Sequence, residues 1–188
     1  MNIFINYRRN DTKIFATIIY EKILKHINNS NVFLDIDTIE PGENFINSII
    51  KTIDKCQLML SLIGPNWIKQ DEKYGTNIKN PHDFVQLEIH EALKRNIKII
   101  PILINDASMP KESDLPCELH SILKFSALSI NEATLETDIN SFIYQLLRIK
   151  NNTFHSKEIV INKGILFLGV IFIISVFMSV ILFSNIIF

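Results

Sequence analysis

The chain is poor in the residues that mark several common functional classes. Its two cysteines, Cys56 and Cys117, form no CxxC pair and no disulfide framework. Buried or incidental thiols in a reducing compartment account for them. Its five histidines, His26, His82, His90, His120 and His155, make no HxxxH or HExxH helix motif, so no metal site is expected. Its five glycines supply neither GxGxxG nor GxxxxGK[ST], so the phosphate loops of Rossmann and P-loop proteins are missing. The net charge of −1, from 19 Lys+Arg and 20 Asp+Glu, gives no global electrostatic case for nucleic acid, and none is expected as a partner. The N-terminus does not read as a signal peptide. Residues 2–7 are too short for its apolar region, and Arg8 and Arg9 follow that stretch instead of preceding it.

What the chain has in quantity is apolar sequence at one end. Residues 164–188 read GILFLGVIFIISVFMSVILFSNIIF, with no charged side chain. An uncharged run beyond ~18 residues reads as a membrane-spanning helix. At ~1.5 Å per residue it reaches roughly 37 Å, enough to cross a ~30 Å hydrocarbon core with tilt. The other reading is a buried core helix, which is disfavoured because a helix apolar all round has nothing here large enough to bury it. Arg148, Lys150, Lys157 and Lys163 precede the run and no charged side chain follows it. The positive-inside rule then places the preceding domain in the cytoplasm, on a single-pass C-terminal anchor in membrane lipid. Ser175 and Ser179 either line a helix–helix contact or bond their own backbone. The expected organisation is a folded domain over 1–150, a connector over 151–163 and a transmembrane helix over 164–187.

Within the domain, apolar strands alternate with helical spacing. Strands are expected at 2–6, 32–34, 56–63 and 97–104, the last broken by Pro101, with a short one at 122–128. Helices are expected from Asp11 or Thr12 to Ile27, over 45–55, from Asp83 to Arg95 and over 132–149. Ile14, Ile18, Leu24 and Ile27 are read as inward on the first. Residues 35–42, 69–80 and 106–116 read as loops, with Pro41-Gly42 a turn signal. This alternation predicts an α/β fold: a flavodoxin-like parallel sheet with helices on both faces. Ligands of such folds bind beyond the carboxyl ends of the strands, where Tyr7-Arg8-Arg9, 35–42 and Trp67 are expected to gather.

Four segments then carry a resemblance. Phe4-Ile5-Asn6-Tyr7-Arg8-Arg9 is similar to the first box of TIR domains, which commonly has serine where Asn6 stands. Val32-Phe33-Leu34-Asp35 with Ile39-Glu40-Pro41-Gly42 is similar to their second strand and BB loop. Leu60-Ser61-Leu62-Ile63-Gly64-Pro65-Asn66-Trp67 resembles the third strand and its exit. Asp83-Phe84-Val85-Gln86-Leu87-Glu88-Ile89 resembles the glutamate box. The resemblance covers 1–150 in order and spacing. It is strongest toward bacterial members and toward an animal NAD⁺-cleaving member that shares the Tyr-Arg-Arg start.

The resemblance implies cleavage of NAD⁺, as substrate and not cofactor, at the nicotinamide–ribose bond, with Glu88 as the catalytic carboxylate. From helix position alone Glu88 reads equally as a solvated glutamate. Arg8 and Arg9 either contact phosphate or ribose, or form a solvated pair or a salt bridge to Asp11 or Asp35. Tyr7 either stacks on a ring or forms core rim, Phe84 walls the site, and Trp67 is either packing or ligand contact. Asp35 and Phe45 complete the implied substrate set. Asp37, Ile39, Pro41 and Gly42 belong to the BB loop, which in this family gates the site and packs on a neighbouring subunit. The DxDxDG pattern of calcium loops is absent there. The implied protein is a membrane-anchored NAD⁺ glycohydrolase, hydrolysing or cyclising, activated by self-association and coupled to a sensor partner, in the manner of anti-phage effectors. Its rivals are a non-enzymatic TIR–TIR interaction module, including one that interferes with host TIR signalling, and a membrane-disrupting effector.

Overall fold

The computed structural model describes residues 1–34 and 44–151. The chain divides into two units, Met1–Tyr144 and Gln145–Phe188. Of the second, only 145–151 are described, and they are helical. The BB-loop residues Asp35, Asp37, Ile39, Pro41 and Gly42 lie outside the described residues, as does the apolar run 164–187. Among the described residues no helix is long and apolar enough to cross a membrane.

In chain order the first unit runs β1 (Asn2–Asn6), α1 (Lys13–His26), β2 (Asn31–Phe33), α2 (Phe45–Asp54), β3 (Leu58–Ile63), β4 (Gln70–Asp71), β5 (Gly75–Thr76), α3 (Phe84–Lys94), β6 (Lys98–Ile104) and β7 (Leu128–Ile130). Five strands form one parallel sheet in the order β2-β1-β3-β6-β7. The expected parallel α/β architecture is therefore present, with the chain reversing direction at β1 as in other doubly wound sheets. The central strand β3, LMLSLI, is buried along its whole length, as a parallel strand covered on both faces must be.

Period-2 alternation sorts the strand side chains. Phe4, Met59, Ile63 and Ile99 share a core with Ile49 and Ile53 of α2, Val85, Ile89 and Ala92 of α3, and Leu119 and Ile122 beyond β6. Each large apolar side chain so buried contributes roughly 1.5–3 kcal/mol. The ends of α3 are well made. The Asp83 carboxylate accepts from the Gln86 N–H at 3.0 Å as N-cap. At the other end Asn96 takes φ 55°, and the amides of Ile97 and Asn96 return to the carbonyls of Ala92 and Leu93. That is a Schellman closure with asparagine in place of glycine. Arg95 then ties the end of α3 to α2 by bonding both Glu91 and Asp54.

Four sequence expectations need correction. In α1 the inward residues are Phe15, Ala16, Ile19 and Ile23; Ile27 just past its end is buried as expected, while Ile14 and Leu24 are exposed. The helix is apolar on more than one face, and the sheet selects one row. The 97–104 strand is not broken at Pro101, which pairs in register with Ser61. Strand β7 joins β6 only from Ile102 onward, so no ladder partner is lost on that side. The polar 69–80 stretch contains the antiparallel β4–β5 ribbon, turned by Asp71 accepting from the amides of Lys73 and Tyr74 and by Gly75 at φ 78°. No strand spans 122–128. Cys117–Lys124 is 3₁₀-helical, with Leu119 and Ile122 three apart and both fully buried, and the strand comes later at β7.

Candidate functional site

At the carboxyl ends of β1 and β2, against the N-terminal turn of α3, lies a cleft of about 510 Å³. This is within the roughly 300–1,000 Å³ range of small-molecule sites. Tyr7, Arg8, Arg9, Phe45, Phe84 and Glu88, six residues read from the sequence as site residues, all line it.

Arg8 leaves β1 directly into the cleft. Its Nη1 bonds Asp83 Oδ2 at 2.9 Å, with side-chain exposures of only 13% and 9%. Its Nε and Nη2 are buried with no hydrogen-bond partner among the described residues. A guanidinium held by one edge presents its remaining donors as a fork, a geometry that suits phosphate or carboxylate oxygens. One alternative read from the sequence, a salt bridge from Arg8 to Asp11, is not formed. Asp11 instead accepts the Asn66 amide at 3.0 Å and closes the exit of β3 onto the β1–α1 turn. That closure is why residue 64 is glycine: a Cβ there would lie 2.4 Å from Asp11 Oδ2 and 2.5 Å from Thr12 Cγ2. Arg9 is exposed on the rim, and Tyr7 is buried.

Phe45 opens α2 and Phe84 opens α3, and their rings meet edge to face with centroids 4.9 Å apart. Both are more than 40% exposed. Phe45 stands at the cleft mouth beside exposed Ile46.

Glu88 stands one turn into α3 on its cleft-facing flank. Its Oε2 accepts from Asn6 Nδ2 at 2.7 Å. Asn6 Nδ2 also reaches the Val85 carbonyl at 3.3 Å, and Asn6 Oδ1 accepts from Ser61 Oγ at 2.9 Å. Glu88 is thus held from below by the sheet, which a freely solvated helix glutamate would not be.

Among the described residues, Trp67 is the sequence-read candidate that the fold does not bring to this cleft. It is 1% exposed and packs with Met59, Ile63 and Ile78 in the core. Conversely, sequence reasoning passed over Asp83 as the partner of Arg8, His82 as a cleft residue and Ser61 as a buried polar contact. For Ser61 a signal existed. It is the lone polar residue of an otherwise apolar strand, in register with Asn6, the polar residue that ends β1.

The profile of the TIR domain family matches residues 3–137. Over 129 residues the chain is 25% identical to the NAD(+) hydrolase sarm1 of Drosophila melanogaster, a match covering 69% of this chain and 9% of that protein. The chain therefore corresponds to a small part of that relative. Among solved structures it is similar to the TIR domains of the activated Roq1 resistosome, which directly recognises the pathogen effector XopQ. There the TM-score is 0.53 and the identity 12%, over 78% of this chain and 97% of that one. A prokaryotic SEFIR domain gives a TM-score of 0.50 at 15% identity, over 76% and 96%. Strand order, the placement of the Tyr-Arg-Arg start beside the glutamate box, and a family match spanning most of the sequence agree: the chain belongs to the TIR domain family.

Proposed function

We propose that the cleft cleaves NAD⁺ at the nicotinamide–ribosyl bond, with Glu88 as the catalytic carboxylate. The observation that carries this reading is the convergence in one cavity of a fixed carboxylate, a largely buried arginine with two donors unpartnered among the described residues and two exposed aromatic rings. Those are the groups needed for a ribosyl cation, a pyrophosphate and flat heterocycles. The distant likeness to an NAD(+) hydrolase agrees with it.

The chemistry accounts for a single carboxylate. When the ribosyl C–N bond breaks, its electron pair leaves on the nicotinamide nitrogen and neutralises the pyridinium, so no acid is needed to protonate the leaving group. Ordinary glycosidases need a second carboxyl partly for that protonation. The anion of Glu88 stabilises the oxocarbenium-like ribose electrostatically. Water then adds at the ribosyl carbon and gives up a proton, yielding ADP-ribose. Attack by an adenine ring nitrogen of the same molecule yields a cyclic isomer. No cofactor is required.

The uncharged run 164–187 supports a membrane anchor with the TIR domain on the cytoplasmic side. An anchor concentrates the domains in two dimensions and so favours their self-association. In this reading the protein is of the bacterial type, self-association activates the site, a sensor partner triggers it, and NAD⁺ depletion serves as anti-phage defence. A second reading, an interaction module that recruits other TIR domains, draws on the exposed apolar residues Phe45, Ile46 and Phe84.

The test reconstitutes the full chain in liposomes at rising surface density and follows NAD⁺ and nicotinamide by chromatography, with Glu88→Gln in parallel. Density-dependent nicotinamide release that disappears in the variant supports the enzyme. Release that survives Glu88→Gln removes Glu88 from the chemistry. Silence of both, with association sensitive to Ile46→Ser, favours the interaction module.

A further inference from the structure

Beneath the cleft, two polar side chains are fully buried in the sheet: Asn6 at the end of β1 and Ser61 opposite it in β3. Burying a polar group costs free energy unless its bonds are made. Here they are made in a directed chain. Ser61 Oγ donates to Asn6 Oδ1 at 2.9 Å, and Asn6 Nδ2 donates to Glu88 Oε2 at 2.7 Å and toward the Val85 carbonyl at 3.3 Å.

The direction follows from what each neighbour can do. A backbone carbonyl and an ionised carboxylate only accept, so turning the Asn6 amide over would set its oxygen against two acceptors. The donor end is thereby committed to Glu88. A donor held against a carboxylate favours the ionised form, and it favours one rotamer of a side chain that is otherwise flexible. Other polar and titratable groups line the same cleft as Glu88: Tyr7, Arg8 and Arg9 following β1, and His82 and Asp83 preceding α3. Asn6 differs from them in acting from the sheet side, out of water.

We infer that Asn6, backed by Ser61, is a positioning residue that keeps Glu88 ionised and fixes which of its oxygens faces the sheet. This inference rests on the reading of Glu88 as the NAD⁺-cleaving carboxylate. It explains why the chain can place asparagine where TIR domains commonly have serine. The longer amide spans from β1 to α3 and still takes the Ser61 hydroxyl.

The experiment uses the full chain in lipid nanodiscs with carbon-13 on glutamate side-chain carboxyls, the Glu88 signal being the one absent from Glu88→Gln. Asn6→Asp replaces the donor by a second carboxyl in hydrogen-bond contact, and Ser61→Ala releases the amide more gently. The expected result is an upward move of the Glu88 titration midpoint, by about one pH unit in Asn6→Asp and less in Ser61→Ala. The acid limb of the kcat profile should move with it, kcat should fall tenfold or more in Asn6→Asp, and KM should change less than threefold. An unmoved midpoint in variants that melt cooperatively overturns the inference. If Asn6→Asp fails to fold, Ser61→Ala alone decides it. A wild-type chain that releases no nicotinamide at any density overturns the NAD⁺ reading instead, because the carbon-13 midpoint reports the Asn6 contact without turnover.

Discussion

Asp83 divides its carboxylate between two tasks: Oδ1 caps α3 through the Gln86 amide at 3.0 Å, and Oδ2 holds Arg8 at 2.9 Å. The residue that starts the glutamate-bearing helix is therefore also the residue that aims the buried guanidinium. Helix register and the placement of the Arg8 guanidinium are coupled through one side chain, and the N-terminal end of the helix adds a partial positive charge at the same place.

The two tasks can be separated. Asp83→Ser keeps a capping oxygen and loses the ion pair, whereas Asp83→Ala loses both. Either change leaves Arg8 without its partner, so under the proposed function the KM for NAD⁺ is expected to rise by tenfold or more in both. Loss of the cap costs about a further 1 kcal/mol in the alanine variant, a Tm lower by roughly 2–4 °C than that of Asp83→Ser. Thermal melts compared with steady-state kinetics check this. Equal melting of the two variants would show that the cap contributes nothing.

Trp67 gives a test of the site's boundary. It packs in the core away from the cleft, so Trp67→Phe is expected to leave kcat and KM within twofold of wild type. Trp67→Ala removes a large buried side chain and is expected to cost roughly 3–5 kcal/mol. Chemical denaturation measures the second effect. A large KM change in a well-folded Trp67→Phe variant would return Trp67 to the ligand's path.

The two thiols should behave differently. Burial pushes the Cys56 thiol up to about 12 from 9.0, against a smaller opposing pull from Lys55, while Cys117 is exposed. A maleimide at pH 8 is expected to modify Cys117 quickly in the native protein and Cys56 only after unfolding. The same shift affects stability. Between pH 9 and 12 the unfolded chain loses the Cys56 proton and the folded chain keeps it, so stability is full below 9 and falls as pH rises through that window, by up to about 1.4 kcal/mol per unit. Denaturation of wild type and Cys56→Ala across pH 8–11 isolates this contribution. Parallel pH dependence in the two proteins would contradict it.

Much of the fold was legible in the sequence because its signals are local. β1 and β3 are apolar runs ended by polar or turn residues, and α3 begins at a residue able to cap it. Where the reading failed, the local signal was ambiguous or of unexpected kind. α1 carries apolar residues on more than one face, so periodicity did not choose between Ile14 and Phe15. The 117–124 segment hides a 3₁₀ repeat in which Leu119 and Ile122 are in phase. The β4–β5 ribbon is held by an Asp71 side-chain turn rather than by apolar alternation.

The sequence by itself determined the order of the main strands and helices, the placement of Tyr7, Arg8 and Arg9 just beyond a strand end, and the uncharged character of residues 164–188. Only the tertiary structure decided which carboxylate Arg8 pairs with and which donor reaches Glu88. Asp11 and Asp83 are chemically equivalent along the chain, and charge complementarity does not distinguish them. The chosen contacts, Arg8 with Asp83 and Asn6 with Glu88, join residues 75 and 82 positions apart. They exist because parallel pairing and the packing of α3 on the sheet bring the end of β1 under that helix.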